Sequence, residues 1–314
     1  MNQPIFLMPV FQERIWGGTK LRELFGYDIP SETTGECWAV SAHPNGQSVV
    51  KNGPYQGMTL GELWTTHPEL FASRSSVFPL LTKLLDASDD LSVQVHPNDE
   101  YAGKHENGEL GKTECWYIVD AEPGAAIVYG HEARTKEQLA SMIASGQWDE
   151  LLTSVPVKAG DFFYVPSGTI HALGKGIVVL ETQQSSDTTY RVYDYDRKDK
   201  EGNLRELHLE KAIDVTTVPQ AYEPISYSTR ETEGLAASTF VSNDFFTVDK
   251  WDVSGAAQLP ASGKYRLFSI IDGSGSLHAS GERFELRKGD HFILPVGFGP
   301  YVLEGRLQLI VANE

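Results

Sequence analysis

An internal duplication is the feature that most constrains the fold of this 314-residue chain. Residues 160–168 read GDFFYVPSG and residues 289–297 read GDHFILPVG, so both follow the pattern G-D-x-F-x-[V/L]-P-x-G. Upstream, residues 116–120 (WYIVD) correspond to residues 268–272 (FSIID). Because the similarity covers two strand-like segments in each half, it indicates a repeated β-rich unit.

The spacing inside the two copies differs. Asp120 precedes Gly160 by 40 residues, whereas Asp272 precedes Gly289 by 17. The extra length of the first copy contains Thr135 with a glutamine three residues later, which is a capping-box signature for the start of a helix. We therefore predict a helix inserted into an otherwise repeated unit.

Apolar periodicity supports this helix and suggests two more. A second capping box begins at Thr59, with Glu62 three residues on. A third amphipathic stretch covers residues 204–213. The residues expected to line one face of the inserted helix are Leu139, Met142, Ile143, Leu151 and Leu152.

Most of the remaining chain reads as short β-strands separated by Gly, Pro, Asn and Asp, a pattern typical of sandwiches and barrels. A proline-containing segment with little periodicity, residues 217–229, is the best linker candidate. It divides the chain into predicted domains at residues 1–225 and 226–314. The predicted strands are 48–50, 91–95, 116–119, 162–165, 177–182, 245–253, 265–271 and 307–311.

The negative net charge limits the classes of molecule that this chain can bind. Asp plus Glu total 43 against 26 for Lys plus Arg, a net charge of -17, so nucleic acid and anionic membranes are poor partners. No secretory signal is evident at the start of the chain, and the apolar runs are too short to span a membrane. Cys37 and Cys115 form no paired framework, so we interpret both as buried hydrophobes and expect a cytoplasmic protein.

The repeated motif also suggests a metal site. Residues 162–165 alternate as a strand, residues 166–168 turn the chain, and His171 opens the next strand. This arrangement resembles the second motif of the cupin superfamily, in which that histidine binds a metal inside a jelly-roll barrel. The resemblance predicts a mainly β protein with two cupin-type jelly-roll β-barrels and helical insertions. Pro300 occupies the matching position in the second copy, so only the first barrel is expected to hold a metal.

Strand alternation supplies the other candidate ligands. Along residues 91–96, Ser92, Gln94 and His96 share one face. The same alternation groups Lys112 with Glu114.

The second copy has lost two of these groups. Alignment of the two copies matches Arg266 to Glu114 and Pro300 to His171, so the second copy lacks the carboxylate and the imidazole. A site with two imidazoles and one carboxylate leaves room for water or substrate, as catalytic metal sites do. The predicted ligands are His96, Glu114 and His171, with Gln94 as a candidate fourth. The histidines interpreted as surface or hydrogen-bonded residues are His43, His67, His105, His131, His208, His278 and His291.

Several segments together resemble type I mannose-6-phosphate isomerase, a zinc-dependent cytosolic family that interconverts mannose 6-phosphate and fructose 6-phosphate. The resemblance implies one Zn²⁺ per chain and a small phosphosugar substrate. The family's zinc ligands correspond to Gln94, His96, Glu114 and His171. Zinc suits an isomerisation through an enediol because it is a Lewis acid without redox chemistry. The segments are 94–97 (QVHP), 112–117 (KTECWY), 160–171 and 186–191 (SDTTYR), with 15–18 (IWGG) and 35–38 (GECW) resembling the short bacterial form.

The resemblance also implies substrate contacts. Arg191 corresponds to an arginine beside the substrate, where a guanidinium can bind phosphate bidentately. The alternative is a surface salt bridge. The positions that match family residues around the sugar phosphate are Lys83, Ser92, Lys112 and Arg197.

Candidate acids and bases lie nearby. A lowered pKa near zinc would let Lys112 take part in proton transfer. Glu181 and Asp187 are candidates for acid-base or hydroxyl-orienting roles, and the base is not assigned. Glu36 and Trp38 could line the cavity, but we favour a packed strand.

Two other classes of function fit parts of the pattern. Two histidines and a carboxylate also describe non-haem iron oxygenases, which consume oxygen. A sugar-binding module is the second alternative, although charged Lys112, Glu114 and Arg191 on inward faces would be costly to bury without a ligand. The sequence indicates no protein partner and no oligomeric state.

Overall fold

The computed structural model describes residues 3–198, 201–221 and 227–314. The chain is mainly β, as predicted. Its strands are β1 (Ile5–Met8), β2 (Val10–Gly18), β3 (Thr34–Val40), β4 (Val49–Val50), β5 (Leu80–Ala87), β6 (Val93–Val95), β7 (Glu114–Ala121), β8 (Ala126–His131), β9 (Leu152–Pro156), β10 (Phe162–Val165), β11 (His171–Leu173), β12 (Ile177–Gln184), β13 (Tyr190–Tyr193), β14 (Ser228–Thr232), β15 (Leu235–Ser242), β16 (Thr247–Leu259), β17 (Arg266–Ala279), β18 (Glu282–Arg287), β19 (His291–Leu294) and β20 (Tyr301–Asn313). The α-helices are α1 (Lys20–Phe25), α2 (Leu60–Thr66), α3 (Asp99–His105), α4 (Lys136–Ala144), α5 (Trp148–Leu151) and α6 (Leu209–Val215), with 3₁₀ turns at Gly53–Tyr55 and Pro68–Leu70.

Antiparallel pairing joins the strands of the described residues into three sheets. The leading half forms a six-stranded sheet, β10-β7-β12-β5-β3-β2, and a five-stranded sheet, β13-β6-β11-β8-β9. The third sheet has nine strands in the order β14-β15-β16-β20-β17-β19-β1-β4, with β18 on β17. No pairing between described residues closes a sheet into a barrel, so hydrogen bonding alone does not establish the two predicted barrels.

The strand register reproduces the internal repeat. In the leading half Phe163 on β10 pairs with Trp116 on β7. In the trailing half Phe292 on β19 pairs with Phe268 on β17. These are the same aligned positions of the two copies, so the duplicated sequence forms an equivalent strand pair twice.

The helices follow the capping signals but not all predicted lengths. Thr59 forms a complete capping box with Glu62 at the start of α2, as predicted. The prediction of one continuous inserted helix is wrong. Gly146, at a φ of 66°, lies between α4 and α5, and Leu152 begins a strand instead of lining the helix.

Two further predictions need correction or fall outside the described chain. The helix predicted at 204–213 begins only at Leu209 and runs to Val215. Leu204 instead forms an isolated bridge with Lys198. Residues 222–226 of the predicted linker, and the domain boundary at 225, lie outside the described residues.

The start of the chain packs into the sheet of the trailing half. Ile5 on β1 pairs with Ile293, and β4 pairs with β1 at the sheet edge. The interior of the trailing half is apolar, with Phe268 and Phe292 stacked at 4.8 Å between ring centroids. Cys37 and Cys115 are free thiols, and both are buried as predicted. No helix among the described residues has the length and apolar character needed to cross a membrane.

A buried histidine links the two halves. The Tyr27 hydroxyl donates to the Gly289 carbonyl at 2.8 Å and lies 2.8 Å from His291 Nε2. His291 Nδ1 lies 2.8 Å from the Ser269 hydroxyl. Each ring nitrogen faces a hydroxyl group, which can donate or accept, so a neutral imidazole is satisfied in either tautomer. His291 is therefore hydrogen-bonded within the core.

This histidine predicts a pH dependence of stability. Burial, with a smaller effect from Lys51, lowers the pKa of His291 to about 3. An unfolded imidazole titrates near ~6.5, so between these values the unfolded chain binds a proton that the folded chain does not. Stability should therefore fall as pH falls below ~6.5, by at most ~1.4 kcal/mol per pH unit for this group.

We expect the variant His291→Gln to show a shallower dependence of unfolding free energy on pH than the wild-type protein. Urea unfolding between pH 5 and pH 7 measures it. His278→Gln, a change at a partly exposed histidine, is the control and should keep the wild-type slope. An unchanged slope for His291→Gln would contradict the neutral assignment.

Candidate active site

Three buried side chains meet where strands of the leading half begin or end. His96 follows β6, Glu114 begins β7 and His171 begins β11. Pairing of β11 with β6 places His171 opposite Gln94 and so near His96. The potential ligand atoms of the two histidines and Glu114 lie within 4.8 Å of one another. The structure thus assembles His171, predicted from the repeated motif, with His96 and Glu114, predicted from strand alternation.

Backbone carbonyls fix the orientation of both imidazoles. Nδ1 of His96 donates to the Thr188 carbonyl, and Nδ1 of His171 donates to the Thr169 carbonyl, both at 2.9 Å. Since a carbonyl can only accept, the hydrogen is on Nδ1 and each Nε2 presents a lone pair to the cluster. Burial lowers the pKa of both rings, that of His171 to about 4, and keeps them neutral.

Glu114 is the fully buried carboxylate between the rings. The Lys112 ammonium lies 2.8 Å from one of its oxygens, and the other oxygen accepts no hydrogen bond within the described chain. Nε2 of His96 lies 3.5 Å from one oxygen, and Nε2 of His171 lies 3.4 Å from the other. Lone pairs facing an anion at this distance are unfavourable unless a cation lies between them. Two neutral imidazoles and a carboxylate are a donor set that zinc accepts.

Two neighbours complete the surroundings of this cluster. The amide nitrogen of Gln94 lies 3.3 Å from His171 Nε2. A 180° rotation of that amide would turn its carbonyl oxygen toward the cluster. Lys112 Nζ lies 2.8 Å from Glu114 and 3.1 Å from His96 Nε2.

The protein side chains around Lys112 do not lower its pKa, so the lowered pKa expected beside zinc stays a prediction. Burial does lower the pKa of this amine, but the charges of Glu114 and Glu181 outweigh it and raise the pKa above its ordinary value. Lys112 is therefore a persistent ammonium at neutral pH. This favours a role in charge stabilisation over one as a proton acceptor.

A cavity of about 400 Å³ opens beside the cluster. It is rich in charge, which is unusual for an enclosed surface and indicates a polar ligand. The predicted residues that line it are Lys83, Ser92, Gln94, Lys112, Glu181, Asp187 and Arg191. Its other lining residues are Arg14, Trp16, Glu36, Leu85, Leu91, Trp116, Leu173, Thr189 and Arg205.

Arg191 is a cation without a carboxylate partner among the described residues. Its Nε donates to Ser92 Oγ at 3.3 Å, and its Nη1 donates to the Glu206 carbonyl at 2.7 Å. Burial, followed by repulsion from Arg205, lowers its pKa. The alternative, a surface salt bridge, is not formed with any carboxylate of the described residues, which leaves the guanidinium for an anion in the cavity.

Lys83 is a second cation with unused hydrogen-bonding capacity. It is buried, and its ammonium lies 4.5 Å from the ring centroid of Trp38. The nearest carboxylates, Glu36 and Asp187, are 3.8 Å and 3.9 Å away, beyond hydrogen-bond distance.

Two of the lining carboxylates differ in environment. Glu181 accepts from Trp116 Nε1 at 3.0 Å, while its other oxygen is buried without a hydrogen bond. Burial and the charge of Glu114 raise the pKa of Glu181. Asp187 is partly exposed and accepts from the Asn45 amide at 3.0 Å.

The sequence interpretation missed part of the cavity wall. Glu36 does not merely pack within a strand: it receives two hydrogen bonds from Arg14, at 2.9 Å and 3.2 Å, and one from Trp38 at 2.5 Å. Although burial opposes ionisation, Lys83 and Arg14 lower the pKa of Glu36 to about 2. Alternation in β3 puts Glu36 and Trp38 on one face, which is the signal that could have identified them.

Arg197 lies away from the described lining of the cavity. Its guanidinium donates to the Asp90 carbonyl and to Asp194, the latter at 2.6 Å. Arg205 lines the cavity instead. The placement of Arg197 therefore gives no support to the predicted substrate contact.

Comparisons with known proteins agree with this architecture. Residues 5–119 match the model of the phosphomannose isomerase type I catalytic domain, and residues 236–314 match that of the mannose-6-phosphate isomerase cupin domain. The chain is 58% identical over 313 residues to mannose-6-phosphate isomerase of Bacillus subtilis, covering 99% of both chains. The chain belongs to the type I phosphomannose isomerase family.

Other members of this enzyme family show the same extent of similarity. The mannose-6-phosphate isomerase of Streptococcus mutans is 58% identical over 317 residues, covering 100% of this chain and 99% of its own. A crystal structure of a type I phosphomannose isomerase family member, described as the mannose 6-phosphate isomerase from Bacillus subtilis, superimposes with a TM-score of 0.98 at 55% identity. The alignment covers 99% of both chains. The cupin prediction is thus confirmed for residues 236–314.

Proposed function

We propose that this isomerase interconverts mannose 6-phosphate and fructose 6-phosphate in the cavity beside His96, Glu114 and His171, with one zinc ion held by these three residues. The observation that carries the proposal is the orientation of two imidazole lone pairs toward a fully buried carboxylate. The names of the relatives supply the substrate.

His96, Glu114 and His171 would hold the metal, and Gln94 would become a fourth ligand after rotation of its amide. When bound, zinc would supply Lewis-acid stabilisation of negative charge developing on a substrate oxygen. Lys112 would add a fixed positive charge on the same side of the cavity, because Glu114 and Glu181 keep its amine protonated.

The phosphate would bind on Arg191 in the wall of the same cavity. Its guanidinium is half-buried and has no carboxylate partner within the described residues. Binding energy from the phosphate, which does not react, would fix C1 and C2 of the sugar near the carboxylates. Lys83 and Ser92 would contact the sugar phosphate as well.

The reaction would proceed through an enediol, with one carboxylate carrying the proton between C1 and C2. Glu36 is poorly suited as a base, because Arg14 and Trp38 occupy its oxygens and its pKa is low. Among the described residues, Glu181 and Asp187 each keep an oxygen without a hydrogen-bond donor, and either is suited to accept the proton or to orient a substrate hydroxyl.

The overall arrangement we propose is two jelly-roll units, residues 1–225 with the active site and residues 226–314 without a metal. The apolar interior of the trailing half and the substitutions Arg266 and Pro300 at the ligand positions support this division. Two free, buried thiols suit a cytoplasmic location.

A coupled assay of mannose 6-phosphate conversion, with and without chelator, tests the proposal. We expect activity that a chelator abolishes and added Zn²⁺ restores. Full activity in protein shown by elemental analysis to lack metal would contradict it. An iron-loaded protein that consumes oxygen would instead favour the oxygenase alternative.

A further inference from the structure

A second guanidinium lies beside Arg191 in the cavity wall. Arg205 lines the cavity, and its positive charge is the main electrostatic influence that lowers the pKa of Arg191 after burial. Its Nε donates to Asp194 at 2.7 Å, and its Nη2 donates to the other oxygen of the same carboxylate. One edge of the guanidinium is thus fixed, which leaves Nη1 for another acceptor.

Arg205 is held on a segment that is bonded directly to Arg191. The amide of His208 donates to the Arg191 carbonyl at 2.8 Å, and the Arg191 amide donates to His208 Nδ1 at 3.1 Å. The Arg191 side chain donates to the Glu206 carbonyl. These three bonds fix residues 205–208 against β13, so the two guanidiniums share a defined wall.

Arginines outnumber the carboxylates paired with them in this wall, within the described part of the chain. Arg191, Arg197 and Arg205 lie close together, but Arg197 and Arg205 share the carboxylate of Asp194. The additional carboxylate near Arg197, that of Asp89, is 3.5 Å away and more than half exposed. Like charges held together in a partly buried site are unfavourable in a free protein and favourable when a divalent anion binds between them.

We infer that Arg205 binds the substrate phosphate together with Arg191. This inference rests on the proposed function and adds a residue to its binding site. Arg205 lines the cavity, and its Nη1 has no acceptor among the described residues. Both Nη atoms of Arg197 instead donate to Asp194 and the Asp90 carbonyl, and its Nε is buried. Arg205 therefore supplies the second phosphate contact that the sequence assigned to Arg197.

Calorimetric titration with inorganic phosphate, and competitive inhibition of mannose 6-phosphate conversion by phosphate, test this inference. We expect R205Q to bind phosphate ~10- to 100-fold more weakly than the wild-type protein, as for loss of a charged hydrogen-bonding partner. R205K keeps the charge but loses the planar fork, so its loss should be smaller. R283Q, a change at an exposed arginine of the trailing half, is the matched control.

The comparison with R197Q decides between the two arginines. The loss for R205Q should exceed that for R197Q by at least ~5-fold, since Arg197 reaches the cavity only through Asp194. Wild-type phosphate affinity in R205Q and R205K, or an equal loss of affinity in R197Q, would overturn the role of Arg205. Neither result would affect the proposed function. Failure of the wild-type protein to isomerise mannose 6-phosphate would refute the proposed function instead.

Discussion

Replacing His171 with alanine is expected to remove the bound metal and to lower isomerase activity by at least ~10³-fold, because one of three protein ligands and its directed lone pair disappear. The His171 ring is held by the Thr169 carbonyl and faces Glu114, so its loss removes a ligand atom already directed at the carboxylate. Elemental analysis after dialysis measures the metal, and the coupled assay measures the rate.

His278→Ala provides the matched control for this experiment. His278 also lies on a strand, but it is partly exposed in the trailing half and pairs with Glu304. This variant should keep both its metal and its activity. Retention of one metal ion per chain by His171→Ala, together with wild-type turnover, would contradict the assigned ligand set.

Replacing Arg191 with glutamine is expected to lower kcat/KM for mannose 6-phosphate by ~10²- to 10³-fold, since a charge-assisted and partly buried phosphate contact is lost. Turnover should fall along with affinity, because the phosphate also orients the reacting carbons. Steady-state kinetics measure both parameters. The metal content should stay at the wild-type level, since Arg191 contacts none of the three candidate ligands.

The same arginine offers an internal comparison. Arg191→Lys preserves the charge but not the bidentate geometry, so its kcat/KM should lie between those of the wild-type protein and Arg191→Gln. Arg283→Gln should behave like the wild-type protein. A kcat/KM of Arg191→Gln within ~3-fold of the wild-type value would show that this guanidinium does not bind the phosphate.

The residues of the candidate site could be predicted where strand alternation and the internal duplication agreed. Alternation along residues 91–96 and 112–116 put His96 and Glu114 on inward faces, and the resemblance of the repeated motif to a cupin motif identified His171. The alignment of the two copies is reproduced in the strand pairing, since Trp116 pairs with Phe163 as Phe268 pairs with Phe292. These features depend on strand periodicity, which a single sequence reveals.

Other features depend on contacts between distant segments and could not be read locally. Arg14 reaches Glu36 across two strands, and Arg205 is brought to the cavity by bonds to β13. The raised pKa of Lys112 results from two carboxylates on different strands. The break between α4 and α5 was missed because the apolar spacing continues across Gly146.

Anomalous diffraction at the zinc absorption edge, from crystals of the zinc-loaded protein, tests the central claim most directly. The account predicts one strong peak in the leading half, ~2.0–2.2 Å from Nε2 of His96, Nε2 of His171 and an oxygen of Glu114. A peak bound to other side chains, or no peak in a crystal of active protein, would contradict it.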